Sequence, residues 1–484
     1  MSLGDKAARG SGVVLASQAF RGVLQFGSVV ILARLLTPSE FGLVAMVTSI
    51  IGLADLVRDF GLSSAAIQAK TLSKAERTNL FWANLGFGAA CTAITSACAP
   101  LIGAAYSRSD LTPIVLSLAW VFLISGANTQ FRADLTRSMK YGRLAISDIV
   151  AQLAGIASAV TLALLHYGVF AIVAQQLTVA LVALVLNVLA AHWVPSLPRR
   201  GVSLRRFFAF GGNLFATQLL TYFTKNVDNI ALGIYSGPYQ LGLYSRAYQL
   251  LMTPLNQINA PMTGVALPVL SKIRDDDARF TRYLSQAQLV ACYLTASIFA
   301  VSAGLAGPLV NLLFGPAWDA IAPIFAVLAV GGIFRSIQQV AYWAYLAKGK
   351  TGAQLRMIAV TRPVMIVMIV AGVPWGPLGV AVGHSVAYFL FWIVSLRHMG
   401  KHTGVDSGPL IRNALRAVLV VCAPAGGVAW LTTMVKLPSL PALGFGLLAA
   451  FAYMAMIALI VPAIRAEAGV LVTFVRRALR RTNV

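Results

Sequence analysis

Acidic side chains are scarce in this sequence. Fifteen Asp and Glu are spread over 484 residues, against 38 Lys and Arg, and all charged residues together make up only 11% of the chain. A soluble domain carries about a quarter charged residues, so this scarcity excludes water as the solvent for most of the surface. Hydrophobic residues fill the gap at 58%, and the mean hydropathy is +0.78. Cysteine is also sparse. Cys91, Cys98, Cys292 and Cys422 all lie inside apolar stretches, with no CxxC pair or His cluster beside them, which points to packing rather than to disulfides or metal. The pattern G-x-x-x-x-G-K-[ST] does not occur, so no nucleotide-binding P-loop is expected, and neither is a metal or cofactor.

Long apolar runs are what the sequence has instead. They recur from Gly12 to Pro462, each about 20 residues and so long enough to cross a hydrocarbon core roughly 30 Å thick. Fourteen spans are expected, starting near Gly12, Phe41, Leu80, Ile114, Leu144, Val169, Phe207, Leu241, Tyr283, Ile321, Leu355, Leu378, Leu410 and Leu440. Lys6 and Arg9 precede the first run as they would in a signal peptide. Gln18 and Arg21 interrupt that run, however, and no convincing cleavage site follows, so it reads as a retained span.

The net charge of +23 does not mark a nucleic-acid binder, because the basic residues sit in short clusters between apolar runs. Alternating the connections across fourteen spans collects those clusters on one side. The N-terminus, Lys70 to Arg77, Arg137 to Arg143, Arg199 to Arg206, Lys272 to Arg282, Lys348 to Arg356, Arg397 to Arg416 and the C-terminus fall together, leaving Arg108 and Lys436 opposite. The positive-inside rule then places both termini in the cytoplasm. The opposite connections, such as Thr37 to Glu40, Tyr235 to Gln240 and Val373 to Pro377, are short and turn-like. After the last span, Arg465 to Val484 puts Val470, Leu471, Phe474 and Val475 on one helical face and Arg476, Arg477, Arg480 and Arg481 on the other. The tail is expected to be a basic amphipathic helix on the membrane surface.

The chain resembles itself at an offset of 200 residues: Gly12 and Gly212, Ala16 and Ala216, Gln18 and Gln218, Leu32 and Leu232, Gly42 and Gly242, Leu43 and Leu243. An offset of 208 later matches Lys140 with Lys348 and Gly168 with Gly376. Six spans per copy is an even number, so the two halves enter the membrane in the same orientation and are expected to enclose a central cavity. The fold class is thus an all-α membrane protein. Its expected parts are a six-helix bundle over 1–198, a second over 199–404, two additional helices over 405–464 and the tail over 465–484.

Charges inside spans cost about 2.5 to 3.5 kcal/mol each at a helix centre, so they need a reason. Arg21, Arg34, Arg58, Lys225, Arg246, Arg335 and Arg362 are the basic ones, and Asp55, Asp59, Asp148 and Asp228 the acidic ones. Arg34 and Arg246 lie near span ends and read as snorkelling anchors, and Asp148 reads as solvated at the cytoplasmic edge. Asp55, Arg58 and Asp59 share a helix face, as either a buried ion network or a substrate contact. Arg21, Lys225, Arg335 and Arg362 lie deeper, and only Lys225 has an acidic neighbour at helical spacing, Asp228. A cationic interior suits an anionic cargo, since guanidinium forks bind phosphate oxygens bidentately. Asp228 is the expected ion-coupling acid. Pro254, Pro261 and Pro268 predict a bent or broken span.

Three stretches carry a family resemblance: Ala33 to Met46 (ARLLTPSEFGLVAM), Asp228 to Leu250 (DNIALGIYSGPYQLGLYSRAYQL) and Leu312 to Ala320 (LLFGPAWDA). With them the chain resembles the Wzx-type polysaccharide flippases of the multidrug/oligosaccharidyl-lipid/polysaccharide exporter superfamily, especially the branch related to the colanic-acid exporter. The resemblance implies a non-enzymatic bacterial inner-membrane flippase with a cationic cavity that opens alternately to cytoplasm and periplasm. Its implied cargo is an undecaprenyl-diphosphate-linked oligosaccharide for lipopolysaccharide, capsule or exopolysaccharide. Its implied partners are membrane lipids, a polysaccharide polymerase and a chain-length regulator. Two alternatives stay open: another polyprenyl-diphosphate cargo such as a peptidoglycan precursor, or a cation-coupled drug exporter. Drug exporters of the superfamily typically carry an acidic residue in span 1, where this chain has Arg21. A membrane glycosyltransferase or polymerase would need paired acidic residues on a large outer loop, and the outer connections here are short.

Overall fold

The computed structural model describes residues 20–59, 61–69, 71–467 and 469. Every regular element among them is helical. In chain order these are α1 (20–35), α2 (Pro38–Asp59), α3 (Leu62–Gln68), α4 (Lys74–Ala105), α5 (Leu111–Arg137), α6 (Tyr141–Leu164), α7 (Phe170–Ala191) and α8 (Arg205–Lys272). They continue with α9 (Asp277–Gly304), α10 (Ala306–Phe314), α11 (Ile321–Ile337), α12 (Gln339–Ala347), α13 (Thr351–Ala371), α14 (Gly376–Thr403), α15 (Ser407–Arg416), a π-helical turn at Ala417–Cys422, α16 (Ala423–Thr432) and α17 (Ser439–Ile460). Ten helical segments among the described residues are long and apolar enough to cross a membrane. This is a multi-pass helical membrane protein.

Local sequence explains where the helices start. Thr37 and Glu40 form a reciprocal cap at the head of α2: the Thr37 amide donates to Glu40 at 2.6 Å and the Glu40 amide to Thr37 Oγ1 at 3.4 Å. Ser73 and Glu76 do the same for α4. Both are the T/S-x-x-E pattern that satisfies amide donors otherwise orphaned in a helix's first turn. Between α4 and α5, Arg108 holds Asp110 through two hydrogen bonds of 3.0 and 2.7 Å. That fork keeps the Asp110 carboxyl below the usual carboxylate range.

The span expected to be bent or broken at its prolines is not broken there. Helical structure continues through Pro254, Pro261 and Pro268, and α8 leaves helical backbone only at Gly237, with φ 78° and ψ 179°. Glycine adopts that positive φ without a Cβ penalty, so the turn between the seventh and eighth expected spans is made by one residue. Segments beginning Pro-x-x-x-Gly-Leu follow on both sides of the 200-residue offset, at Pro38–Leu43 and Pro238–Leu243.

The chain divides into two compact units, 1–242 and 243–484. In the first, Leu62, Ala65 and Ala66 of α3 pack with Leu80, Ala133 and Phe207, and Phe81, Phe131, Leu135, Leu144 and Ala191 form a second core. Helices α4 and α5 meet backbone to backbone: a Cβ on Gly88 would lie 2.7 Å from the Phe122 carbonyl oxygen, and one on Gly126 2.7 Å from that of Asn84. In the second unit, Gly304 of α9 and Gly426 of α16 make the same kind of approach, beside a core of Val301, Leu305, Ala425, Ala429 and Ala450. Small residues at helix crossings replace the hydrophobic effect, which is weak between helices in lipid, with close packing. The cysteines pack as expected: Cys91, Cys292 and Cys422 are buried free thiols.

Most of the C-terminal tail lies outside the described residues. Its first turn is helical over 462–467 and is anchored at Glu467, which is 6% exposed. Tyr293 donates to that carboxylate at 2.5 Å, and Arg416 forms an ion pair with it.

Candidate functional site

Arg21 is not the isolated cation that its sequence neighbours suggest. In α1 its Nη1 lies 3.0 Å from Asp148 Oδ2 on α6, and Arg132 of α5 grips the same carboxylate at 2.5 and 2.8 Å. Asp148 is therefore not a solvated edge residue: its side chain is 18% exposed and joins three helices. Two guanidinium groups on one carboxylate leave one positive charge. Linear spacing hid this because the partners are 127 and 16 residues from Asp148.

Arg58 pairs with Asp55 at 2.9 Å and donates to Thr129 Oγ1 of α5 at 2.7 Å. Those contacts tie α2 to α5, while the side chain of Asp59 lies outside the described residues. Asp228 is buried and accepts from the Asn229 amide at 2.9 Å. Lys225 is in α8, but its side chain, like those of Gln218 and Thr221, is outside the described residues, as is Gln18. Arg246 turns back onto Gln249 at 2.6 Å.

Arg335 and Arg362 sit in the second unit against one face of α14. His384, Tyr388 and Phe391 follow at i, i+4 and i+7 spacing and so line that face. Helices α11 and α13 can approach it because small residues lie at the crossings. A Cβ on Gly331 would be 2.6 Å from Ser385 Oγ, and one on Gly383 2.5 Å from the Met368 carbonyl oxygen, while Ser385 donates to the Val327 carbonyl at 2.7 Å. One turn beyond Gly331, Arg335 donates to Tyr248 Oη at 2.9 Å and lies 3.5 Å from His384 Nε2, with its guanidinium 4.8 Å from the Tyr388 ring centroid. Arg362 stands 5.2 Å over the Phe391 ring. Both arginines lie within electrostatic reach of His384. Ring faces and a phenol hold these two guanidinium groups beside one face of α14.

Tyr248, His384 and Tyr388 did not stand out in the sequence, although an imidazole inside an apolar span was a visible signal. Arg132 and Asp148 escaped because each looked like an edge residue.

A bundle of apolar membrane-length helices with guanidinium groups among them is the architecture on the page, and solved structures share its fold. The fold matches "Lipid II flippase MurJ, inward closed conformation" with a TM-score of 0.70 and 15% identity over 92% of this chain and 98% of that one. An inward-facing multidrug resistance MATE family transporter of the MOP superfamily gives 0.60 and 14% over 79% and 94%. The profile of the family described as "Polysaccharide biosynthesis protein" matches residues 31–323, and the chain belongs to that family. Among curated relatives, "Lipopolysaccharide biosynthesis protein WzxC" of Escherichia coli (strain K12) is 27% identical over 374 residues, 75% of this chain and 74% of that one. "Teichuronic acid biosynthesis protein TuaB" of Bacillus subtilis (strain 168) is 27% identical over 337 residues, 68% of each.

Proposed function

We propose that this protein flips undecaprenyl-diphosphate-linked oligosaccharide units from the cytoplasmic to the periplasmic face of a bacterial inner membrane by alternating access. Family membership carries the polysaccharide role. The observation that carries the anionic cargo is the placement of Arg335 and Arg362 on ring faces of α14, where a diphosphate can meet guanidinium donors. Arg21 and Lys225 are assigned to the same cationic path in the first unit, and Asp228 to ion coupling. The ion pair of Arg58 with Asp55 and its bond to Thr129 favour a structural network for that face of α2.

Fourteen spans are supported by the helix pattern. Added to the ten apolar segments are α1 and the two stretches of α8 on either side of Gly237, and the segment Thr351–Thr403 is divided by a 3₁₀ turn at Val373–Trp375. That grouping fits six helices in 1–198, six in 199–404 and two in 405–464. Both termini then lie in the cytoplasm. A polymerase and a chain-length regulator are the partners that such an export step would supply.

The test is deletion, followed by analysis of lipid-linked sugars. Oligosaccharide-loaded undecaprenyl diphosphate should accumulate on the cytoplasmic face and clear on complementation. Accumulation of a peptidoglycan precursor instead, or no accumulation, would replace this reading. Arg335→Gln and Arg362→Gln should each cut export about ten- to a hundredfold, the scale of a lost charge-assisted hydrogen bond of roughly 1.5–3 kcal/mol. The Arg→Lys forms should recover part of it, since a point charge replaces a fork.

A further inference from the structure

His384 is a buried ionisable group with no assigned role. It is 2% exposed in the middle of α14. Its ring meets Tyr248 edge-on with centroids 5.6 Å apart and lies 4.6 Å from Tyr388, and both phenols also flank Arg335. The charged and titratable groups bearing on the ring are thus Arg335 from α11, Arg362 from α13, Tyr248 from α8 and Tyr388 from α14 itself.

The tautomer follows from the contact. A guanidinium only donates, so His384 Nε2, 3.5 Å from Arg335 Nη1, must be the acceptor nitrogen of a neutral ring. The ring hydrogen then resides on Nδ1, which has no hydrogen-bond partner among the described residues. A buried donor of this kind is retained against a desolvation cost and marks a place where a partner is expected. The same nitrogen pair therefore does two things. One side steadies Arg335, which is shared between the phenol of Tyr248 and the imidazole, and the other side presents a hydrogen.

We infer that His384 is a positioning residue: its neutral Nε2 fixes the direction of the Arg335 guanidinium, with Tyr248 and Tyr388 framing the pair. This rests on the diphosphate reading above and adds the group that aims the cation. It also states a chemical requirement: the position needs an acceptor toward Arg335 on a compact side chain. Glutamine can supply that acceptor, and phenylalanine keeps only the packing.

The experiment uses the full chain in detergent with farnesyl diphosphate as the probe and farnesol as the phosphate-free control. Binding and melting temperature are measured for wild type, Arg335→Gln, His384→Phe and His384→Gln. Wild type should bind farnesyl diphosphate and discriminate against farnesol. His384→Phe should weaken diphosphate binding about tenfold with little change toward farnesol, and His384→Gln should return to within about threefold of wild type. If Arg335→Gln binds as wild type does, the diphosphate reading itself fails. If Arg335→Gln loses binding while His384→Phe keeps it, the positioning role is overturned and the diphosphate reading stands. Should His384→Phe melt markedly lower, His384→Gln decides: restored melting without restored diphosphate binding also overturns the role.

Discussion

Gly42 and Gly242 make reciprocal contacts across the 200-residue offset. A Cβ on Gly42 would lie 1.8 Å from the Pro238 carbonyl oxygen, and a Cβ on Gly242 would lie 1.9 Å from the Pro38 carbonyl oxygen. Each glycine thus admits the backbone that leads into the other, as in an isologous contact with local two-fold character. Neither obstruction can rotate away, because each is a main-chain carbonyl.

Matched substitutions should therefore have matched effects. Gly42→Val and Gly242→Val should each lower stability by about 1–3 kcal/mol, the usual cost of overpacking, and each should reduce export. Thermal melting of the purified variants and glycan export in a deletion strain read both quantities. A harmless Gly42→Val beside a damaging Gly242→Val would disprove reciprocity in solution.

The Arg21, Asp148 and Arg132 cluster gives an asymmetric expectation. Arg21→Gln leaves the bidentate Arg132 to Asp148 pair in place, so its melting temperature should stay near wild type while export falls. Asp148→Asn leaves two guanidinium groups facing each other without a carboxylate, so it should melt several degrees lower. Both arginine side chains are more than one third exposed, which keeps the loss below that of a fully buried pair. Equal melting of the two variants would rule out Asp148 as the hub.

At the end of the last span, Glu467 is expected to anchor the C-terminal segment through Tyr293 and Arg416. Glu467→Gln keeps the shape but removes the charge, and should destabilise the protein by about 1–3 kcal/mol. Limited proteolysis should then cut after residue 460 faster than in wild type. An unchanged cleavage rate would show that the tail is held by other means.

Topology is testable at Gly237. A tag inserted at Ser236 to Pro238 should be reached from the periplasm, and tags at Arg199 to Arg206 or after Val484 should be reached only from the cytoplasm. A periplasmic C-terminus would break the even span count.

For coupling, Asp228→Asn should change how export depends on external pH, since it removes a buried carboxylate from α8. Export with an unaltered pH profile would take Asp228 out of the energetics.

What the sequence determined by itself is whatever depends on transfer between water and hydrocarbon. Apolar runs of membrane-spanning length and the basic clusters between them follow from local composition, because each residue meets its solvent independently of distant chain. The 200-residue repeat was legible for the same reason, as pattern. Pairing was decided only by the tertiary structure. Arg21 finds Asp148 across 127 residues, Arg335 and His384 meet across 49, and helical backbone in α8 continues through its three prolines. Linear spacing carries no record of which helix faces another, since contact at Gly331 and Ser385 or at Gly88 and Gly126 is fixed by close packing between whole helices.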